Sequence, residues 1–461
     1  MEKRKTFGGS IGFVLAAAGS AVGLGNIWRF PYLAARDGGG LFLVVYIVLA
    51  LTFGFTLVTA EIAIGRKTKQ SPLTAYGVLN KKWKWLGWVS SIVPFIILPY
   101  YCVIGGWVLK YLIAFLTGCG TQTANDGYFT SFITGSTEPI IMMGIFLLVV
   151  AIVIFLGVNK GIESFSKVIM PILILLVLGI AIFSLTITHT DTQGTVRTGM
   201  QGLKYYIIPS LDGMTIKGFF QVVMDAMGQL FYSLSVAMGI LIAYGSYVRD
   251  DANLPRSINQ IEIFDTVVAF LAGVMIIPAV YVFSGTDGMS SGPSLMFVTL
   301  PKVFASMGVA GNIIGAIFFA MVLFAAITSA MSVLEAIVSG MIDSKKFTRS
   351  KAVITEFVIA LALAVLVCLG YNKLYFELKL PNGSIGQILD VMDYISNSIL
   401  MPIVAIATCI LVGWIIKPKA IIEEVEKNGA KMGRKRLFTI MIKYIAPICL
   451  FLLLLMSLGV F

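Results

Sequence analysis

The sequence predicts an all-α integral membrane protein with eleven transmembrane helices, arranged as a five-plus-five inverted repeat and one extra helix. Three observations carry that expectation. Hydrophobic residues are 58% of the 461 and charged residues 12%, with mean hydropathy +0.93, whereas soluble domains carry about 25% charged residues. Apolar windows of about 20 residues, enough to cross a bilayer, recur near 11–35, 39–65, 86–116, 139–157, 168–187, 220–248, 260–284, 310–340, 352–370, 386–416 and 438–460. The first and sixth of these are interrupted by glycine or polar residues and lie five spans apart, the spacing at which an inverted repeat places its broken helices. Repeat one then covers about 11–187, repeat two about 220–416 and the extra helix about 438–460, within a single transmembrane domain over 1–461.

The net charge of +11 belongs mainly to loops, so a nucleic-acid partner is not expected. The loops on the N-terminal side of the bilayer hold most of the Lys and Arg. The opposite side holds only Arg197, Lys204, Lys217, Lys302, Lys373 and Lys379. That asymmetry puts the N-terminus in the cytoplasm and, after eleven spans, the C-terminus outside. The first segment keeps glycines, Asn26 and Arg29 within its apolar run and reads as a retained helix, not a signal peptide. Five cysteines without metal spacing and one histidine, His189 in an outer loop, leave no zinc site or histidine relay to build. No nucleophile stands beside a base, so an enzyme is not expected.

In chain order, the first span carries Gly19, Gly23 and Gly25 beside Asn26. Each glycine weakens a helix by about 1 kcal/mol relative to alanine, and three in seven residues invite a break. Backbone freed in mid-membrane must line a cavity or be buried in protein; the simpler alternative is a helix-packing face. Glu61 is an acid in the apolar second span, a placement that favours a cavity or a partner. Tyr100 and Tyr101 lie in mid-span three, where a hydroxyl needs a hydrogen-bond partner. Gly161 and Pro171 bracket the start of span five, where a helix could loosen, although a loop glycine and a first-turn proline explain them equally. Span six is polar at its centre, with Gln229, Tyr232, Ser233 and Ser235. Asp265 opens span seven, and Thr328-Ser329 lies in mid-span eight, where hydroxyls also bond back to their own helix. Asp390, Asp393 and Tyr394 start span ten, and Lys417 to Arg436 reads as a solvated mixed-charge loop.

Gly19-Ser-Ala-Val-Gly-Leu-Gly-Asn-Ile-Trp-Arg-Phe-Pro-Tyr32 resembles the first-helix signature of the neurotransmitter:sodium symporters. Tyr100-Tyr101 with Trp107, Gln229 to Ser235, Ala325 to Ser329 and Asp393 continue the likeness over almost the whole chain. Eleven spans and short termini look most like the bacterial branch. The resemblance implies the leucine-transporter fold in a bacterial inner membrane and sodium-driven symport of an amino acid by alternating access, in a monomer or weak homo-oligomer.

It also implies two Na+ sites. One would use the Ala21 carbonyl, Asn26, Ser233, Asp265 and the substrate carboxylate. The other would use the carbonyls of Gly19, Val22 and Ala325 with the hydroxyls of Thr328 and Ser329. The carboxylate would meet the amides of Leu24 and Gly25 and the Tyr101 hydroxyl. Gly23, an aspartate in amine-carrying relatives, argues for α-amino acids. Ile97, Tyr232, Ser235, Met238 and Val333 would hold a hydrophobic or aromatic side chain. Asp265, where many members have Asn, suggests transport that needs no chloride. Arg29 with Asp393, above stacked Tyr101 and Tyr232, would gate the outside. Arg4 with Asp343, near Tyr247, would gate the inside. Glu61 would bond the unwound backbone of the first helix, and Gly161 and Pro171 would let span five unwind toward the second sodium site. The competing readings are a proton-coupled transporter using Asp265 or Glu61 and a substrate-gated channel or sensor on the same fold.

Overall fold

The computed structural model describes residues 6–190, 194–211, 214–285 and 293–460. The first expected span is a bent pair, α1 (Ser10–Ala21) and α2 (Gly25–Arg36), meeting at 53°. Then come α3 (Gly40–Thr68), α4 (Lys81–Leu116), α5 (Glu138–Phe155) and α6 (Val158–Thr186). A second interrupted pair is α7 (Ile216–Ser233) and α8 (Ile240–Ser246). The chain closes with α9 (Leu254–Ser284), α10 (Val309–Lys345), α11 (Arg349–Leu369), α12 (Ile388–Ile415) and α13 (Lys435–Ser457). Among the described residues nine helices are long and apolar enough to cross a membrane, and the bent pair makes ten. The expected span 220–248 falls on α7 and α8, neither of which meets that length and apolarity alone, so a count of eleven depends on joining them across their break.

Both interruptions have local causes. Val22 leaves the helix at φ −76° and ψ 89°, and Gly23 follows before Leu24 turns back into α2. Between α7 and α8 the backbone is left-handed at Ser235 (φ 54°), Ala237 (φ 63°) and Gly239 (φ 73°). Only glycine adopts that region without cost, and a strained residue costs about 1–3 kcal/mol. Two bonds hold the loop. Glu61 Oε1 accepts from the Ala237 amide at 2.7 Å, and the Ser235 hydroxyl donates to the Ser20 carbonyl at 3.1 Å.

Glu61 therefore bonds the second break and not, as expected, the first. The reason is packing: α3 lies so close to α8 that a Cβ on Gly65 or on Gly245 would run into the backbone of the other helix. That contact brings Glu61 beside Ala237. Span five also departs from expectation. It is wound from Val158, with Pro171 inside the helix and no longer in its first turn. Lacking an amide hydrogen, Pro171 leaves the carbonyl one turn behind without its helical donor. The Lys417–Arg436 connection is not simply solvated. Its helix Pro418–Val425 packs on α3, where the buried Arg66 Nε donates to Glu424 Oε1 at 2.8 Å.

The breaks sit at the centre of the bundle. Ala16, Ala17 and Ala18 of α1 are fully buried, and their small side chains let α1 pack against α6, α9 and α10. Val44, Ile152, Ile182 and Ile354, on four different helices, are among the large apolar residues that point outward.

Candidate functional site

The two breaks meet around a cavity lined on its other sides by α4 and α10. Every residue expected at the substrate site lines it: Ala21, Gly23, Leu24, Gly25, Ile97, Tyr101, Tyr232, Ser233, Ser235, Met238 and Val333. Asn26 and Ser329, expected as cation ligands, also reach it, as do Ser20 and Ile240, which the sequence reading passed over.

One wall is the start of α2, where the first amides of a helix have no carbonyl a turn behind them. Side chains are excluded there. A Cβ on Gly23 would stand 2.6 Å from Ser329 Oγ and 3.3 Å from the Tyr101 hydroxyl, and one on Gly25 would stand 2.8 Å from the Tyr232 ring. The Tyr101 hydroxyl is buried and has no hydrogen-bond partner among the described residues. The opposite wall, Ile97, Met238, Ile240 and Val333, is apolar.

A polar cluster borders the cavity on the α9 side. Asp265 is fully buried. Its Oδ1 accepts from Asn26 Nδ2 at 2.9 Å and from Ser233 Oγ at 2.6 Å. Its Oδ2 accepts from the Tyr46 hydroxyl at 3.2 Å. Asn26 Oδ1 accepts in turn from Ser233 Oγ at 3.0 Å. The expected residues Asn26, Ser233 and Asp265 are thus brought together, with Ala21 on the same cavity wall, and Tyr46 is an addition. Three hydroxyl and amide groups converge on one buried carboxylate, and none of them carries a positive charge. A buried charge without a counter-charge is costly, so the cluster suits an added cation, and an all-oxygen set suits a hard one. Among the described residues no group of three or more His, Cys, Asp and Glu could hold a metal ion.

A second set of oxygens lies where α1 meets α10. Ser329 Oγ donates to the carbonyls of Ser20 at 3.1 Å and Gly19 at 3.4 Å. Thr328 Oγ1 donates to the Ala325 carbonyl at 3.0 Å. A Cβ on Gly19 would come within 3.3 Å of the Thr328 Cβ, so Gly19, Ala325, Thr328 and Ser329 do converge, next to the turn at Val22.

The expected outer gate is not formed as a direct pair. Arg29 and Asp393 form no direct ion pair. The Arg29 guanidinium lies 5.8 Å from the centroid of the Tyr232 ring, and Asp393 Oδ1 accepts from Asn397 Nδ2 at 2.5 Å. Tyr101 and Tyr232 flank one cavity, but their rings are not among the stacked aromatic pairs. A direct charge pair on this side is Arg36 with Asp225, tying α2 to α7, with Asp37 Oδ1 accepting from Arg36 Nε at 2.7 Å. On the other side, Arg4 lies outside the described residues. Asp343 Oδ2 accepts from the Ser71 amide at 2.6 Å. Tyr247 donates its hydroxyl to the buried Glu335 at 2.6 Å, and Arg349 clasps Glu335 with both terminal nitrogens. Neither Glu335 nor Arg349 stood out in the sequence.

A helical membrane bundle whose central cavity lies between two broken helices, with oxygen clusters beside it, is built as a secondary transporter. The model of the sodium:neurotransmitter symporter family matches residues 4–130 and 129–461, and the chain belongs to that family. An uncharacterized sodium-dependent transporter of Bacillus subtilis is 31% identical over 100% of this chain and 99% of its own length. Another, from Haemophilus influenzae, is 30% identical over 91% of each chain. The crystal structure of MhsT in complex with L-phenylalanine matches with TM-score 0.85 and 34% identity, over 99% of this chain and 100% of that one. The fold is of the leucine-transporter type, and the protein is a multi-pass, sodium-dependent symporter and not an enzyme.

Proposed function

We propose that this symporter imports hydrophobic and aromatic L-amino acids by alternating access, with the substrate and two sodium ions held together at the helix breaks. The observation that carries the reading is the buried, unpartnered Tyr101 hydroxyl, poised over the backbone where α2 begins. A hydroxyl donor facing helix N-terminal amides and their partial positive charge is a seat for a carboxylate. The Leu24 and Gly25 amides and Tyr101 would hold the substrate carboxylate, and Gly23 would leave it room. Ile97, Tyr232, Ser235, Met238 and Val333 would surround an apolar side chain, a class consistent with the L-phenylalanine bound to MhsT.

The first sodium ion would sit among the Ala21 carbonyl, Asn26, Ser233, Asp265 and the substrate carboxylate. The second would sit among the carbonyls of Gly19, Val22 and Ala325 and the hydroxyls of Thr328 and Ser329. A carboxylate shared between substrate and ion makes each raise the affinity of the other, which is the coupling a symporter needs. The charge on Asp265 would make chloride unnecessary. Arg29 and Asp393 would close together over the occupied site from outside. Arg4 and Asp343, beside Tyr247, would close the cytoplasmic end, with the N-terminus in the cytoplasm of a bacterial cell. Loosening of α6 between Gly161 and Pro171 would then admit water to the second ion.

Competition for sodium-dependent binding in detergent, across the twenty amino acids, tests the substrate class. Hydrophobic and aromatic L-amino acids should displace one another, and acidic and basic ones should fail. Displacement by a basic or acidic amino acid alone would refute the assignment.

A further inference from the structure

Outside the transport site, an apolar groove runs along the bundle surface between α5 and α11. Leu148, Ile152 and Leu156 form one bank, Ile354 and Phe357 the other, and Ala151 the floor. The bank residues Leu148, Ile152, Leu156 and Ile354 are about half-exposed. From Leu148 to Leu156 the groove is about 12 Å long at about 1.5 Å per residue, the length of about half an acyl chain. Its surroundings are hydrocarbon, because both banks are membrane-spanning helices.

One end of the groove is strongly basic. The α10–α11 connection reads Lys345-Lys-Phe-Thr-Arg-Ser-Lys351, without an acid. Arg349 is committed: it clasps Glu335, and its Nε donates to the Ile154 carbonyl at 2.7 Å, pinning α11 to the end of α5 and closing the groove there. The lysines are free to face outward. Lys351 Nζ stands 4.4 Å and Lys345 Nζ 5.9 Å from the centroid of the Phe347 ring. Both exposed ammonium groups are thus within cation–π range of one ring. Lys351 precedes Ile354 by one helical turn, so its charge stands at the mouth of the groove.

We propose that the groove binds one acyl chain of an anionic glycerophospholipid, with its phosphate held by Lys345 and Lys351. Charge complementarity selects this occupant over a zwitterionic lipid. Each lysine near an anionic headgroup contributes about a fivefold preference, and two give about a 25-fold preference. The site is independent of which substrate the transporter carries.

Native mass spectrometry of the full chain in detergent, titrated with dioleoyl phosphatidylglycerol or dioleoyl phosphatidylcholine, tests it. The first phosphatidylglycerol should bind at least tenfold more tightly than the first phosphatidylcholine. The surface double variant Lys345→Ala/Lys351→Ala should bring the two lipids within about twofold of each other. Ala151→Trp, which fills the floor, should weaken phosphatidylglycerol at least tenfold. Equal binding of the two lipids by the wild type would overturn the proposal, as would phosphatidylglycerol binding unchanged in the double variant. A wild-type dimer that Ala151→Trp dissociates would also overturn it, because a second copy would then be the occupant.

Discussion

Asp265 draws three donors onto two oxygens, from Asn26 and Ser233 on one and Tyr46 on the other, all neutral and all buried. Asp265→Ala should therefore abolish sodium-dependent substrate binding, at least a hundredfold in apparent affinity. Its cost in stability should stay near the about 1–3 kcal/mol of groups left unpaired, so the variant still purifies folded. A variant that keeps wild-type sodium dependence in an equilibrium binding assay would remove Asp265 from the ion site. Gly25→Ala should weaken substrate binding at least tenfold, because its Cβ would sit 2.8 Å from the Tyr232 ring; saturation binding with a labelled amino acid reads this directly. Asp265 was legible in the sequence because an acid inside an apolar run is rare. Tyr46 was not: a tyrosine in a span reads equally as core or interface, and its partner lies 219 residues away. Ser20 and Ile240 were hidden for a related reason, since their exposure to the cavity depends on how two breaks face each other.

At the level of elements, the six residues between α7 and α8 are held against their own preference, with left-handed backbone at Ser235 and Ala237. Glu61 supplies the acceptor for the Ala237 amide. Glu61→Ala should destabilise the protein by about 1–3 kcal/mol, the cost of an orphaned buried amide. Glu61→Gln keeps an acceptor and should cost less than half as much. Thermal unfolding in detergent compares the two, and equal losses would argue that the loop does not depend on this bond. Ala237→Gly should be neutral or stabilising by up to about 1 kcal/mol, since glycine accepts the positive φ. Both breaks were legible as clusters of glycine and polar residues in otherwise apolar spans. Which break Glu61 would meet was not, because it follows from the backbone contact of α3 with α8 at Gly65 and Gly245. The continuous winding of α6 through Pro171 was likewise not legible, since local propensity favours a helix with the proline in its first turn.

Over the whole molecule, span positions, the central cavity and its lining could be read from hydropathy and from one long signature. The charged contacts that fasten the ends of the bundle could not. Arg36 with Asp225 joins helices 189 residues apart, and Arg349 with Glu335 fastens the consecutive helices α10 and α11; charges near span ends look like ordinary boundary residues. Arg29 and Asp393 were marked as a gate by the family resemblance alone, and their contacts with the Tyr232 ring and with Asn397 could not be read from the sequence. Breaking a buried pair by removing one partner costs about 3–5 kcal/mol. Arg349→Ala should accordingly loosen the end of the bundle that holds Glu335 and raise the alkylation rate of a cysteine placed at Ser246 several-fold. In the proposed cycle, one cavity couples an amino acid to sodium. Uptake of pooled labelled hydrophobic and aromatic L-amino acids into proteoliposomes tests it most directly, with external sodium compared against external potassium. Accumulation should occur only under an inward sodium gradient and be absent with Asp265→Ala; equal accumulation in potassium would refute sodium coupling.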